Sequence, residues 1–371
     1  MSSGVPNSAL AELLQTTLSN YPIDDFQTTF AYQRYEVVDR WFAKDRVQET
    51  AGVDIRRKIT LDDTGTAKMI YPRAKRKVAI VDTMKEISAP WVDAMVYWSV
   101  DRKEMMRNRS PWKLIELVKH RRIQAKQSKA DLLEVQAWST PTNTNDELNA
   151  RGLPYWASFA DNGATGADFV GHTVRFADGT TSATKGGITY TDAKCARWQH
   201  WVDTYDGTFN LTLVNKMRLA WIKMNFKRPK NVEESSKRPF SDWRIYMSQE
   251  NSVQYEALAT ANNDNLGPDV APFDGDSLVF KRTPIIPIPQ IGTMRVTDGG
   301  GASFDPKPIY FINHGRFYPI VHTGEWMREH GPYTDVEMPE EFTTYIDSEF
   351  QFFCDNVREA CGVIHRVIPA A

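Results

Sequence analysis

The chain has 371 residues, with 41% hydrophobic and 25% charged side chains and a formal net charge of -2. A balance so near neutral excludes a protein that grips nucleic acid or an acidic membrane through its overall charge, so any such contact must be local. Cys195, Cys354 and Cys361 are an odd set without metal-type spacing, which argues against a disulfide scaffold and for folding in a reducing cytoplasm.

Met1 to Asn20 has neither the basic start nor the apolar run of a secretory leader, and no window reaches the length of a membrane span. Ser8 to Leu18 places Leu10, Leu13, Leu14 and Leu18 at helical spacing, and Pro22 stops that helix. Asp24 to Arg46 mixes aromatic and charged residues without a period and reads as an arm leaning on a neighbour. From Val47 to Val81 the texture alternates and turns basic. Arg56 to Leu61 and Lys68 to Val78 flank an Asp62-Asp63-Thr64-Gly65 turn, a hairpin pattern. Both of its faces are too polar for a core of its own, and an isolated two-stranded ribbon is marginal in water, so it should lie on a partner. Ile80 to Asn108 carries Ile87, Trp91, Val92, Met95, Val96, Trp98 and Met105 and is expected to form a helix, whole or broken at Pro90.

Ser110 and Pro111 make a helix start, and no Gly or Pro recurs until Pro141, so one helix of seven or eight turns is expected. Leu114, Val118, Ala125, Leu132 and Val135 form its stripe, interrupted by Arg121 and Ser128, while Arg121, Arg122, Lys126 and Lys129 help to make its waist basic. Such a helix suits a position laid across a surface. Gly152 to Trp156 is an apolar turn, and Asn162 to Lys194 is a Gly- and Thr-rich surface loop with room for a small hairpin. Asp206 to Arg228 is a second helix, with Leu211, Val214, Met217, Leu219, Trp221, Ile222 and Met224 as its core face. Asp242 to Met247 alternates as a strand, Ser252 to Thr260 is a third helix, and Pro284, Pro287 and Pro289 restrict Ile285 to Pro289 to a sheet edge. Pro308 to Asn313 is the best strand pattern in the chain. Thr343 to Val367 reads as closing strands.

No catalytic constellation emerges. Gly-x-Ser-x-Gly, His-Glu-x-x-His and Cys-x-x-Cys are all missing, and the glycines of the loop do not follow a strand into a helix as a phosphate site requires. His314, His322 and His330 recur every eight residues, a spacing without convergence on a metal. Asp264, Asp269, Asp274 and Asp276 fail as a calcium loop, because Leu266 and Phe273 stand where oxygen ligands belong. The eleven tryptophans fit core anchors or interface hot spots.

The order of these parts resembles the major capsid proteins of tailed bacteriophages, which have the HK97-type fold. The parts are an arm, a polar ribbon, a long charged helix, the Gly-Leu-Pro-Tyr-Trp turn, the Gly/Thr insertion, the Trp-Arg-Ile-Tyr strand, a Pro-rich edge and the Ile-Tyr-Phe-Ile-Asn strand. The resemblance implies an α+β fold divided into an N-terminal arm (1–46), an extended E-loop ribbon (47–81), a peripheral domain (82–202) with the spine helix at 111–138, an axial domain (203–327) and C-terminal strands returning to the peripheral domain (328–371). It implies a non-enzymatic subunit, without cofactor or metal, that forms hexamers and pentamers of an icosahedral shell around double-stranded DNA in the virion, assembled in the host bacterial cytoplasm. Portal and separate scaffolding or decoration proteins are further partners it implies, and no membrane; the short stretch before the ribbon leaves no room for a fused scaffold. Inter-subunit contacts are expected at Arg56, Arg57, Lys58, Asp62, Asp63, Lys68, Arg73 and Lys75 of the ribbon and Arg121, Arg122 and Lys126 of the helix. Some members join a ribbon lysine to a neighbour's asparagine, and nothing marks Lys58, Lys68, Lys75 or Lys77 for that. Encapsulin-like compartment shells share the fold and are the alternative; a soluble enzyme using the loop Asn262 to Asp276 is a third reading.

Overall fold

A computed structural model describes residues 35–61, 69, 71, 84–107, 111–160, 168–192, 195–225, 242–261, 273–274, 277–297, 303–334 and 339–367. The helix expected over 8–18, the turn at 62–65 and most of the acidic loop at 262–276 lie outside them. Val37–Trp41 forms a helical turn, followed by β1 (Gln48–Thr50), β2 (Ile55–Thr60), β3 (Met84–Ala89), β4 (Val92–Asp101), α1 (Arg102–Arg107), α2 (Pro111–Ala137) and the short α3 (Leu153–Trp156). Next come β5 (Asp168–Gly171), two small hairpins made of β6 (Val174–Arg175) with β7 (Thr181–Ser182) and β8 (Thr184–Lys185) with β9 (Ile188–Thr189), then β10 (His200–Tyr205) and α4 (Leu211–Met224). β11 (Trp243–Met247), α5 (Gln249–Ala261), β12 (Phe273–Asp274), β13 (Ser277–Phe280), β14 (Thr283–Pro287) and α6 (Pro289–Thr293) lead to the pair β15 (Val296–Thr297) and β16 (Ser303–Phe304). The chain closes with β17 (Ile309–Asn313), β18 (Phe317–His322), β19 (Arg328–Thr334), β20 (Glu341–Cys354), α7 (Val357–Ala360) and β21 (Cys361–Arg366).

Two sheets organise these elements. One runs β1-β18-β20-β19 with β4 also paired to β20, and the other runs β12-β13-β14-β11-β17-β21-β10-β5. The closing strands therefore part company: β20 ends the first sheet, and after the α7 turn β21 enters the second between β17 and β10. β17, expected from its unbroken apolar run, is buried at every position in the middle of the second sheet. Where β21 passes under α4 there is space only for hydrogen: a Cβ on Gly362 would stand 2.0 Å from the Met224 sulfur.

Several expectations need correcting. Ile80 to Asn108 is not a helix but β3, β4 and the short α1. Along β4, Val92, Ala94, Trp98 and Val100 are buried while Asp93, Met95 and Tyr97 are exposed, the period of a strand. Met95 and Tyr97 are large and apolar too, which blurs the alternation enough to imitate helical spacing. β2 pairs with β3, Thr60 opposite Met84 and Ile55 opposite Ala89, so the ribbon's return strand at this level lies beyond Val81. β14 is not an edge: it bonds β13 on one side and β11 on the other. Its prolines sit at its second and last residues, leaving Ile285 and Ile286 between them to supply the interior amides. On α4, Leu211, Leu219 and Ile222 are exposed, and the core face is Leu213, Val214, Met217, Ala220 and Met224.

Residues 35–46 also differ from the expected arm, because they pack into the chain's own core. Val37 and Trp41 are fully buried, and Glu36 meets Arg244 at 3.0 Å. Arg46 pairs with Asp242, which also meets Arg244 at 3.4 Å. Two of the charges that gave this stretch its polar look, Glu36 and Arg46, are thus neutralised by residues some two hundred positions away, while Asp39, Arg40, Lys44 and Asp45 stay exposed. The Gly/Thr-rich segment carries two hairpins rather than one, and it too enters the core. Lys185 is buried, with its amine 3.0 Å from the Trp156 carbonyl and 3.0 Å from the Ser158 hydroxyl. Burial lowers the pKa of that amine to about 7.

Candidate assembly surfaces

The ribbon base shows charge on both strands. Arg56 is exposed beside Asp54 at 3.1 Å and Glu86 at 3.6 Å, Arg57 donates to Gln48 at 2.6 Å, and Lys58 is exposed opposite Glu86. In the stretch between the strands, Leu61 is buried, while Met69 and Tyr71 are exposed. Asp62, Asp63, Lys68, Arg73 and Lys75 lie outside the described residues. Among the described residues, nothing covers the apolar groups of Met69 and Tyr71.

The helix α2 lies across the first sheet, as its composition predicts, and the surface it crosses is its own. Arg121 donates to the Ser99 carbonyl and reaches Glu104 at 2.6 Å. Arg122 grips Glu329 with two bonds of 2.9 and 2.8 Å, the forked geometry that guanidinium gives, and Lys126 adds a third contact at 3.5 Å. Lys129 is buried and donates to the Ile346 carbonyl at 2.9 Å, and desolvation lowers its pKa to about 8. The buried stripe is Val118, Ala125, Lys129, Leu133 and Ala137, so Leu132 and Val135, expected inward, point outward. Sequence reading could not see that the basic waist answers Glu104 and Glu329.

The opposite face of this sheet is the surface that sequence reading missed. Met95, Tyr97 and Tyr333 are each more than half exposed, and Tyr345 bridges the two tyrosines with ring centroids 6.3 and 6.2 Å apart. Strict alternation in β20, with Phe342, Thr344, Ile346 and Ser348 buried and Thr343 and Tyr345 outward, is the signal that would have found it. Six tryptophans, Trp41, Trp98, Trp138, Trp156, Trp198 and Trp201, are core residues, so the anchor reading accounts for most of the set.

The three evenly spaced histidines have separate partners. His314 is buried against Tyr246 at 2.7 Å, His322 faces Glu349 at 3.7 Å, and His330 faces Asp347 at 3.3 Å. Among the described residues, no three His, Cys, Asp or Glu side chains come together as a metal site. No described helix is long and apolar enough to cross a membrane.

The buried histidines set an acid limit. Tyr246 accepts a bond from the Trp41 indole at 3.0 Å, and its hydroxyl lies 2.7 Å from His314 Nε2 in the same buried cluster. Burial lowers the pKa of His314 to about 3 and that of His365 to about 4, and holds His200 well below the normal range. Each of these groups takes up a proton more readily in the unfolded chain, so its contribution to stability is complete above the ordinary histidine pKa and is lost as pH falls from there towards the folded value. Glu134 acts in the opposite sense. Burial raises its pKa to about 7, so its ionisation costs stability as pH rises towards neutral and that cost disappears on acidification. Three histidines against one carboxyl leave a net loss of stability between pH 7 and pH 5. Urea midpoints of the dissociated subunit at the two pH values check this; equal midpoints would contradict neutral burial of the histidines.

No family model matches the sequence, and no curated protein matches it. Solved structures do match, over almost their whole length. The capsid asymmetric unit of cyanophage A-1(L) superposes with a TM-score of 0.54 at 13% identity, covering 97% of this chain and 99% of that one. The capsid of a native GTA particle gives 0.52 at 8% identity, covering 98% of this chain and 100% of that one. The chain has the HK97-type capsid fold. The same fold is met in the holo-SrpI encapsulin complex of Synechococcus elongatus PCC 7942, with a TM-score of 0.50, 8% identity and coverage of 98% of this chain and 95% of that one. At such identities the agreement lies in the course of the backbone, and a capsid-type α+β architecture is what it establishes. The ribbon base, the long helix across a sheet and the second, larger sheet are then the parts of one known design.

Proposed function

We propose that the chain is the shell-forming subunit of a tailed-phage capsid, self-assembling into hexamers and pentamers of an icosahedral particle that encloses double-stranded DNA. The end-to-end superposition on the cyanophage capsid subunit carries this reading. A ribbon whose described residues expose Arg56, Lys58, Met69 and Tyr71 supports it, since these groups need a neighbour's surface. Arg56, Arg57, Lys58, Asp62, Asp63, Lys68, Arg73 and Lys75 are the ribbon residues assigned to inter-subunit contact. Arg121, Arg122 and Lys126 hold the helix to its own sheet and contribute to such contacts with whatever donors remain. In domain terms, the ribbon continues to Ala89, the spine helix lies in the peripheral domain, and residues 203–327 supply most of the axial domain, which β21 completes, whereas β18 belongs with β20 to the first sheet. The role is structural rather than catalytic, with DNA held by non-specific contact and with portal, scaffolding or decoration proteins as partners in assembly within the host cytoplasm.

The match to the encapsulin favours a second reading, a compartment shell around protein cargo. The contents of purified particles separate the two: packaged DNA supports the phage reading, and a single protein cargo supports the compartment. Deleting residues 62–67, which spares the buried Leu61, should leave a folded, soluble subunit with little or no shell formation in sedimentation. Normal shells from that deletion would refute the ribbon's role.

A further inference from the structure

The two sheets exchange chain at one corner, and two cysteines meet there. β17 of the second sheet passes into β18 of the first through a turn closed by the Arg316 amide on the Asn313 carbonyl at 3.0 Å, and β20 of the first passes into β21 of the second through α7. Cys354 stands opposite Phe317 and Cys361 opposite Ile312, on either side of that turn. The Asp355 amide bonds the Arg316 carbonyl at 3.1 Å, which ties the two crossings together. Both cysteines are fully buried in the same core cluster, and their thiols are in hydrogen-bond contact. Arg358, in the α7 turn between them, is exposed, so the segment that joins the pair reaches the surface. The buried Lys185 amine interacts electrostatically with both sulfurs.

We propose that Cys354 and Cys361 form an intrachain disulfide when the folded protein meets a small soluble disulfide as oxidant, and that this bond staples the first sheet to the second where the chain crosses between them. The sulfur of one cysteine, as thiolate, attacks the oxidant and displaces one of its halves as a thiol. The second cysteine then attacks the mixed disulfide and displaces the other half, so two protein thiols are oxidised, one soluble disulfide is reduced, and both protons leave on the two small thiols. Burial, and after it the Cys361 thiol, hold the pKa of Cys354 well above its usual range, so the closed pair is inert and the reaction passes through opening of the α7 turn. In a reducing cytoplasm the pair stays as two thiols, and the bond marks chain that has left it. The site lies within one chain, so it does not depend on the shell assignment.

Incubation of the full chain with 2-hydroxyethyl disulfide under native conditions, followed by thiol blocking, trypsin and mass spectrometry, tests the proposal. Trypsin cuts after Arg358, between the two cysteines, so the bond is read as a linked pair of peptides lighter by two hydrogens than its separate parts. The linked pair is expected in chain that stays single and keeps its circular dichroism, with Cys195 recovered as a free thiol. The oxidised chain is expected to melt about 3 °C higher than the reduced one, a modest rise because the staple closes only the short loop 354–361. A reducing agent should reverse the shift, and Cys354→Ser should show neither the linked pair nor the shift. Thiols that stay free at 354 and 361 over a time in which the same chain in urea is fully oxidised would overturn the proposal, as would links between chains in place of the 354–361 pair, or a bond that forms only with loss of the native spectrum.

Discussion

Trp41→Ala should cost the folded subunit about 3 to 5 kcal/mol, the range for removing a large aromatic side chain from a close-packed core. Trp41 is fully buried, with Trp138, His314 and Phe317 rings at 5.2 Å, Phe352 at 5.8 Å and Tyr246 at 5.9 Å. Its indole also donates to the Tyr246 hydroxyl at 3.0 Å, so alanine leaves both a cavity and a buried hydroxyl short of one partner. Trp41→Phe keeps most of the packing and loses the bond, and about 1 to 3 kcal/mol is expected for it. Urea denaturation of the dissociated subunit measures both. A loss below about 1 kcal/mol for Trp41→Ala would return residues 35–46 to the role of a detachable arm.

Gly152→Ala should be of similar severity. A Cβ there would stand 2.3 Å from the Ser139 carbonyl oxygen, 2.4 Å from that of Gln136 and 2.7 Å from that of Ala137. These are backbone atoms at the end of the spine helix, which cannot rotate away as a side chain can. Either the helix end or the buried α3 turn must move, at about 3 kcal/mol or more. Gly292→Ala is the matched control, because its nearest neighbour would be the Ser248 Cβ at 3.9 Å, and it lies in the helical turn α6. That change is expected to be neutral or slightly stabilising, by up to about 1 kcal/mol. Equal stabilities for the two variants would contradict the close approach at Gly152.

Local signals carried much of the fold. Pro111 and the run free of Gly and Pro placed the spine helix almost to the residue, and Trp243–Met247 and Ile309–Asn313 announced themselves as strands. What stayed hidden has a common physical cause, namely side chains whose partners are remote in sequence. Met95 and Tyr97 stand outward on β4 next to buried Ala94, Trp98 and Val100, so hydrophobicity alone does not tell the two faces apart. Glu36 and Arg46 made a core segment look polar until Arg244 and Asp242 were beside them. The basic waist of the helix suggested a neighbour, yet Glu104 and Glu329 of the same chain receive Arg121 and Arg122. The ribbon was legible as an element because both of its faces were polar. The strand that pairs with β2, Met84–Ala89, was not, since its residues fall within the stretch expected to form a helix, while the alternating run at 68–78 lies almost wholly outside the described residues.

The most direct measurement of the central claim is electron microscopy of the purified full chain, with analytical sedimentation of the same sample to count species that a grid would miss. Closed shells, or rings of five and six subunits that convert into shells, are the expected result. A uniform species of one or two chains at every concentration, without rings or shells, would contradict the shell-subunit account.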